Sequence, residues 1–134
     1  MKYRFMEHTA DVKFIASGKS KEEAFENSAL ALKEIMCGKT KIKENKERKI
    51  KIKGKDDEAR LYLFLEEILF LLEAEKFVIS KAKVKIKGEK IEAIIFGDDA
   101  KDYHFTNKVK AITYNEMAVM KEEGKWKIQA VIDV

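Results

Sequence analysis

The chain has no proline, a single cysteine, only two histidines and no long apolar run. Each shortage removes a class of protein. Cys37 alone leaves no disulfide framework and no cysteine metal site, so a reducing, cytosolic compartment is the simplest fit. The longest apolar stretch, Leu61 to Leu72, is broken by Glu66 and Glu67. It falls short of the ~20 residues that a membrane-spanning helix needs. The opening Met1-Lys2-Tyr3-Arg4-Phe5 lacks the apolar segment of a signal peptide. No repeat, linker or low-complexity segment appears. The Walker loop, G-x-G-x-x-G, G-x-S-x-G and H-E-x-x-H are all missing.

What remains is a sequence of 134 residues, enough for one domain over 1–134 with one modest core. Charged residues make up 39%, mostly lysine and glutamate, a balance found in proteins of hot-growing organisms. The net charge is +4 with the signs well mixed, which falls short of the clustered charge expected of a nucleic-acid footprint.

Hydrophobic periodicity predicts the elements. Tyr3 to Phe5 and Asp11 to Ser17 read as extended, and Gly18 ends the strand. Ser20-Lys21-Glu22-Glu23 is a capping box opening a helix to about Met36. Its stripe is Phe25, Ala29, Leu32 and Met36, with Gly38 at the C-terminal stop. Lys41 to Lys53 alternates lysine with isoleucine, which predicts a half-buried strand with its lysines outward. Gly54-Lys55-Asp56-Asp57 turns into a second, leucine-rich helix from Glu58 to Glu75. Its apolar surface exceeds one stripe, so the helix is either central or has a second partner surface. Phe77 to Lys87 and Ile91 to Phe96 pair across a short hairpin loop at Gly88-Glu89-Lys90. Gly97 to Asp102 reads as a polar surface loop. Strands follow over Val109 to Glu122 and Lys125 to Val134, with Gly124 in the turn. The expectation is a two-layer α+β domain, two helices on a mixed, mostly antiparallel sheet, in the order β-α-β-α-β-β-β-β.

Candidate chemistry is sparse. His8, His104 and Lys110, the last in the apolar run Val109-Lys110-Ala111-Ile112, are the residues suited to general acid–base work. Two-histidine phosphoesterases use a pair of His-x-Thr/Ser motifs. His104-Phe105-Thr106 fits one, whereas His8-Thr9-Ala10 does not. Aromatics are not interleaved with basic residues as in an RNA-binding sheet of the RRM type. The acidic residues say more. Asp11 and Asp133 each sit between apolar neighbours, and a carboxylate there is costly to bury unless it is paired or bound to a cation. Val134 adds the free α-carboxylate. If the two ends meet, three carboxylates converge, and a metal ion, a lysine or a shared proton would have to hold them. The alternative is that both aspartates face water at strand edges. Oxygen ligands suit Ca²⁺ or Mg²⁺ rather than Zn²⁺.

Several stretches together resemble the archease family. They are His8-Thr9-Ala10-Asp11-Val12, the helix entry Gly18-x-Ser20-x-Glu22-Glu23-Ala24-Phe25, and the leucine-rich second helix. Val109-Lys110-Ala111-Ile112-Thr113-Tyr114 and the closing Ile132-Asp133-Val134 complete the pattern. In the second helix, family members often carry Trp and Asn where this chain has Leu65-Glu66-Glu67. The resemblance implies a cytoplasmic, non-catalytic accessory protein of tRNA splicing. Its partner would be an RtcB-type RNA ligase, which joins 2′,3′-cyclic-phosphate or 3′-phosphate ends to 5′-hydroxyl ends, so RNA is met through the ligase. The accessory protein would promote guanylylation of the ligase by GTP and its multiple turnover. The resemblance places a divalent-metal site, Ca²⁺ first with Mg²⁺ or Mn²⁺ as alternatives, on Asp11, Asp133 and the Val134 carboxylate. It also puts His8 and Lys110 inside family motifs. Two other functions compete: an RNA-binding or RNA-processing domain using His8, His104 and the lysine-rich sheet face, and a chaperone-like interaction module using the second helix.

Overall fold

The computed structural model describes residues 2–7 and 11–134. Among these residues, seven strands and two long helices follow in chain order: β1 (Tyr3–Glu7), β2 (Asp11–Gly18), α1 (Lys21–Cys37), β3 (Lys46–Lys53), α2 (Asp57–Glu75), β4 (Phe77–Lys87), β5 (Lys90–Asp99), β6 (Ala111–Glu122) and β7 (Lys125–Asp133). This is the expected α+β architecture. The strands divide into a four-stranded sheet, β1-β2-β7-β6, and a three-stranded sheet, β3-β5-β4. Every strand pair among the described residues is antiparallel.

The helices begin where the sequence places their caps. Ser20 Oγ accepts the Glu23 N–H at 3.1 Å, and the Glu23 carboxylate accepts the Lys19 N–H at 2.9 Å. Asp56 caps α2 by accepting the Ala59 N–H at 2.7 Å. A short polar side chain at this position satisfies one of the helix's orphan donors. Gly38 closes α1 at φ 66°, a conformation that costs glycine nothing.

Both helices touch both sheets, α1 chiefly through β4 and β2, α2 through β6, β4 and β3. One continuous core results. It takes Phe14 and Ala16 from β2, Phe25 and Leu32 from α1, Phe64 and Ile68 from α2, and Ile91 and Ile95 from β5. Alternation explains the selection: successive strand side chains point to opposite faces, so every second residue turns toward the helices. On β7 those are Ile128, Ala130 and Ile132, all fully buried. Edge strand β1 is tied to α1 by Tyr3, whose hydroxyl donates to Glu34 Oε1 at 2.8 Å. Helix α2 proves mostly central, with Leu61, Phe64 and Leu65 buried, while Leu63 and Phe70 remain exposed on its outer side.

Two segments differ from the expectation. The run from Gly97 is not a surface loop: β5 continues through Asp99, and a single 3₁₀ turn follows at Ala100–Asp102. Asp98 is buried there because its carboxylate accepts the Tyr103 hydroxyl at 2.7 Å and the Asn45 side-chain amide at 3.3 Å. A carboxylate so satisfied no longer argues for a loop. The second difference is in β6, where the register with β7 slips between Thr113 and Ala118. Glu116 in the bulge adopts φ 55°. Lys13 Nζ reaches its carboxylate at 3.1 Å, and Gln129 Nε2 reaches its carbonyl at 2.8 Å. The bulge thus lies over the sheet face that turns away from the helices. Val131, directed to that face, is accordingly buried.

Candidate functional site

Strands β2 and β7 are the two central strands of their sheet. Their register pairs Asp11 with Asp133, then Val12 with Ile132 and Lys13 with Val131. Directly opposed residues on antiparallel strands point the same way, with Cβ atoms about 5 Å apart. The core takes Phe14 and Ala16 from β2 and Ala130 and Ile132 from β7. Asp11 and Asp133 therefore project from the other face, at the end of the sheet where β2 starts and β7 stops. The structure thus brings together the two acidic residues singled out from the sequence. They stand on central strands rather than at the sheet's edge.

Both are half-buried, and Asp11 Oδ1 is a buried oxygen with no hydrogen-bond partner among the described residues. Such an orphan acceptor costs on the order of 1–3 kcal/mol unless something else satisfies it. No lysine or arginine forms an ion pair with either aspartate among the described residues, and the nearby cation on the same face, Lys13, is committed to Glu116. The lysine solution to the carboxylate pair is thereby removed. Among the described residues, no three His, Cys, Asp or Glu side chains gather to hold a metal. Among the described residues, the side-chain donors here are the two carboxylates. The main chain after Asp133 continues to Val134, whose side chain packs against the core and fixes that segment.

On the far side of β7, Ala111 of β6 pairs with Asp133, and the Lys110 N–H donates to the Asp133 carbonyl at 2.8 Å. The Lys110 side chain corrects the expectation of an apolar setting. It is exposed on the segment just before β6, although Val109 and Ile112 on either side are buried. Lys110, Ala111 and Ile112 form one wall of a groove of about 580 Å³ between α2 and β3. Across it stand Tyr62, Glu66 and Phe70 of α2. The Tyr62 ring stacks on Tyr114 with centroids 4.1 Å apart. Sequence reasoning missed this groove. Its one signal was the excess of apolar residues on the second helix.

His8 lies outside the described residues. His104 is exposed in the segment after the 3₁₀ turn, and no described contact links it to the carboxylate pair. Cys37 is buried, as its place at the end of α1 suggested. Burial pushes its thiol up to about 11, with Lys33 pulling weakly the other way. That is the wrong direction for a nucleophile.

The model of the Archease protein family (MTH1598/TM1083) matches residues 3–134. A protein archease of Methanosarcina mazei is 36% identical over 99% of this chain and 96% of its own length. A protein archease of Pyrococcus furiosus is 38% identical, covering 96% of this chain and 95% of its own. Among solved structures, that of Methanobacterium thermoautotrophicum protein 1598 superposes with a TM-score of 0.83 at 30% identity, over 99% of both chains. An archease from Thermotoga maritima, described as a possible chaperone, shares the fold with a TM-score of 0.65 at 18% identity, over 96% of this chain and 94% of its own. By sequence along nearly its whole length and by fold, this chain belongs to the archease family.

Proposed function

We propose that this protein is a non-catalytic activator of an RtcB-type RNA ligase in tRNA splicing, and that the Asp11–Asp133 pair is its working edge. The observation that carries the reading is the register itself, which sets two half-buried carboxylates side by side; among the described residues neither has an ion pair and Asp11 Oδ1 has no donor. The residues fit a hard divalent cation, Ca²⁺ first and Mg²⁺ or Mn²⁺ next, because oxygen donors are what such ions take. Asp11 and Asp133 would hold it, with the carboxylate of Val134 as a further donor. When bound, the ion supplies positive charge beside the triphosphate of the GTP used by the ligase.

The chain's own residues do the rest. Asp11 and Asp133 present two negative charges on a rigid β-scaffold, so little ordering cost is incurred on docking. The Lys110 groove, flanked by exposed Leu63 and Phe70, adjoins the pair through Ala111. It offers a separate apolar and charged contact surface on the helix side of the same sheet. Asp11, Asp133 and the Val134 carboxylate would be an incomplete set for an ion that takes six or more oxygens, so a partner's ligands could complete it.

The test is multiple-turnover ligation of a cyclic-phosphate RNA by the cognate ligase with GTP and metal. This protein, added below stoichiometry, is expected to raise turnover, and folded Asp11→Ala and Asp133→Ala forms are not. Wild-type protein that leaves the ligase unchanged would sink the proposal. Stimulation only at stoichiometric amounts would argue against a turnover factor.

A further inference from the structure

The outer face of the three-stranded sheet has no part in the carboxylate site. Its register sets four rows across the strands. These read Glu47–Phe96–Lys81, Lys49–Ile94–Lys83, Lys51–Glu92–Lys85 and Lys53–Lys90–Lys87. The inward residues Ile50, Ile52, Ala82, Val84, Ala93 and Ile95 are buried, which fixes these rows as the outward ones. Two lysine rails therefore run along β3 and β4, on either side of a central file from β5.

The rails are about 10 Å apart, two strand spacings, and their lysines recur about every 7 Å along each strand. Between them lies a shallow trough of about 270 Å³ lined by Lys49, Lys51, Lys83, Lys85, Glu92 and Ile94. The central file is recessed: Glu92 and Ile94 within the trough, and Phe96 one row beyond it, are half-buried, whereas the flanking lysines are exposed. Lys81 lies over the Phe96 ring at 5.6 Å and pairs with Glu44. Lys49, Lys51, Lys53, Lys83 and Lys85 have no ion pair among the described residues. Like charges directly abreast on a sheet are destabilising, and Lys53–Lys90–Lys87 puts three in one row. The net charge of the chain is only +4, so this face concentrates positive charge far beyond the average.

We infer that this face binds single-stranded RNA, its lysine rails on the phosphates and its Ile94–Phe96 floor beneath the bases. The chemistry is that of sequence-tolerant single-strand binding, which combines a basic groove with an apolar or aromatic platform. A width of about two strand spacings admits one polynucleotide strand. The recessed floor lacks the protruding apolar anchor by which a protein inserts into a lipid surface. The choice of RNA over DNA rests on the proposed role beside an RNA ligase. The face would hold the RNA strand while the acidic edge engages the enzyme.

The experiment is fluorescence anisotropy of a labelled single-stranded RNA of 12 nucleotides with the isolated full chain, from 50 to 200 mM NaCl. The ligase is absent, so failure here and failure of the ligation assay are separate results. The face variant carries Lys49→Glu, Lys51→Glu, Lys83→Glu and Lys85→Glu. A charge-matched control carries Lys39→Glu, Lys41→Glu, Lys101→Glu and Lys108→Glu. The face variant is expected to lose at least about 30-fold in affinity at 50 mM salt, the control less than about threefold. The slope of log affinity against log salt should flatten by about 3 in the face variant, at ~0.7 for each phosphate that is no longer neutralised. If the reversals do not fold, the four Lys→Gln changes carry the same slope test. Equal losses in face and control variants would overturn the inference, as would no wild-type binding at 50 mM salt. So would tighter binding to DNA of the same sequence. Binding to phosphatidylserine vesicles through this face, with none to RNA, would assign it to lipid instead.

Discussion

Asp11 and Asp133 are direct cross-strand neighbours on the two central strands of one sheet, and no basic side chain neutralises either one among the described residues. Like charges so placed repel by a few tenths to about 1 kcal/mol. Without metal, Asp133→Asn should therefore stabilise the fold. The expected gain is roughly 1–4 °C in Tm, at about 4 °C per kcal/mol for a chain of this size. With Ca²⁺ at ten times its Kd, the wild type should gain about 1.4 kcal/mol, or roughly 5 °C. Asp133→Asn should lose most of that gain. Thermal unfolding in EDTA and in calcium gives both values. A wild type indifferent to calcium, magnesium and manganese would remove the metal from the proposal.

The aspartates themselves were legible in the sequence, because a carboxylate between apolar neighbours stands out. Their partnership was legible only as a condition, if the two ends met, and through the family resemblance. Asp11 and Asp133 lie at opposite ends of the chain, and strand order fixes their register only once the sheet has formed. The lysine alternation of Lys49–Lys53 and Lys81–Lys87 gave the inward and outward faces correctly, since a period of two is a local signal. The two rails came into one surface only through pairing with β5. The bulge in β6 left no local mark. Tyr114 to Met117 continues a strand-like run, and the kink is set by distant partners, Lys13 for Glu116 and Tyr62 for Tyr114. Gly97-Asp98-Asp99 misled because its turn-like composition is overridden by Tyr103 and Asn45, which satisfy the buried acid.

Gly97 has a role that its composition hides. It faces Ile79 beside a register shift in β4 between Ile79 and Lys81. A Cβ at Gly97 would lie 2.0 Å from the Val78 carbonyl oxygen and 2.8 Å from Phe77 Cζ. Backbone cannot move aside as a side-chain tip can. Gly97→Ala should cost about 3 kcal/mol or more, at the upper end of overpacking penalties. Gly88→Ala has open space around its Cβ, so its cost is limited to the positive φ of 60°. Urea unfolding of the two variants should rank them in that order, and equal losses would refute the close-approach argument.

Cys37 should behave as a core residue. With its thiol pushed up to about 11, about one group in a thousand is thiolate at pH 8. Alkylation by iodoacetamide at pH 8 should be more than 100-fold slower in the native protein than in guanidinium. Labelling at the denatured rate would show that the end of α1 opens freely.

Asp57 gives the fold a predictable sensitivity to acid. Burial alone would raise its carboxyl pKa, but hydrogen bonds from Arg60 and Lys21, and their charges, outweigh burial and hold it below the usual value. Arg60 Nη2 donates at 2.7 Å and Lys21 Nζ at 3.1 Å, while Arg60 Nη1 donates to the Gly54 carbonyl. Lys21 also lies 4.8 Å above the Trp126 ring. The group therefore links the starts of both helices to β7. A carboxyl with a depressed folded-state pKa binds its proton more weakly than in the unfolded chain. Its contribution is present above the unfolded value of ~4 and is lost as pH falls through the lower folded value. Asp57→Asn should thus cost on the order of 1–2 kcal/mol at pH 7, leaving the buried Arg60 charge without its acidic partner. The same variant should show a shallower loss of stability below about pH 4 than the wild type. Guanidinium midpoints between pH 7 and pH 2 measure both effects. If the two curves stay parallel through the acid range, the ion-paired carboxyl of Asp57 is not a source of the acid sensitivity.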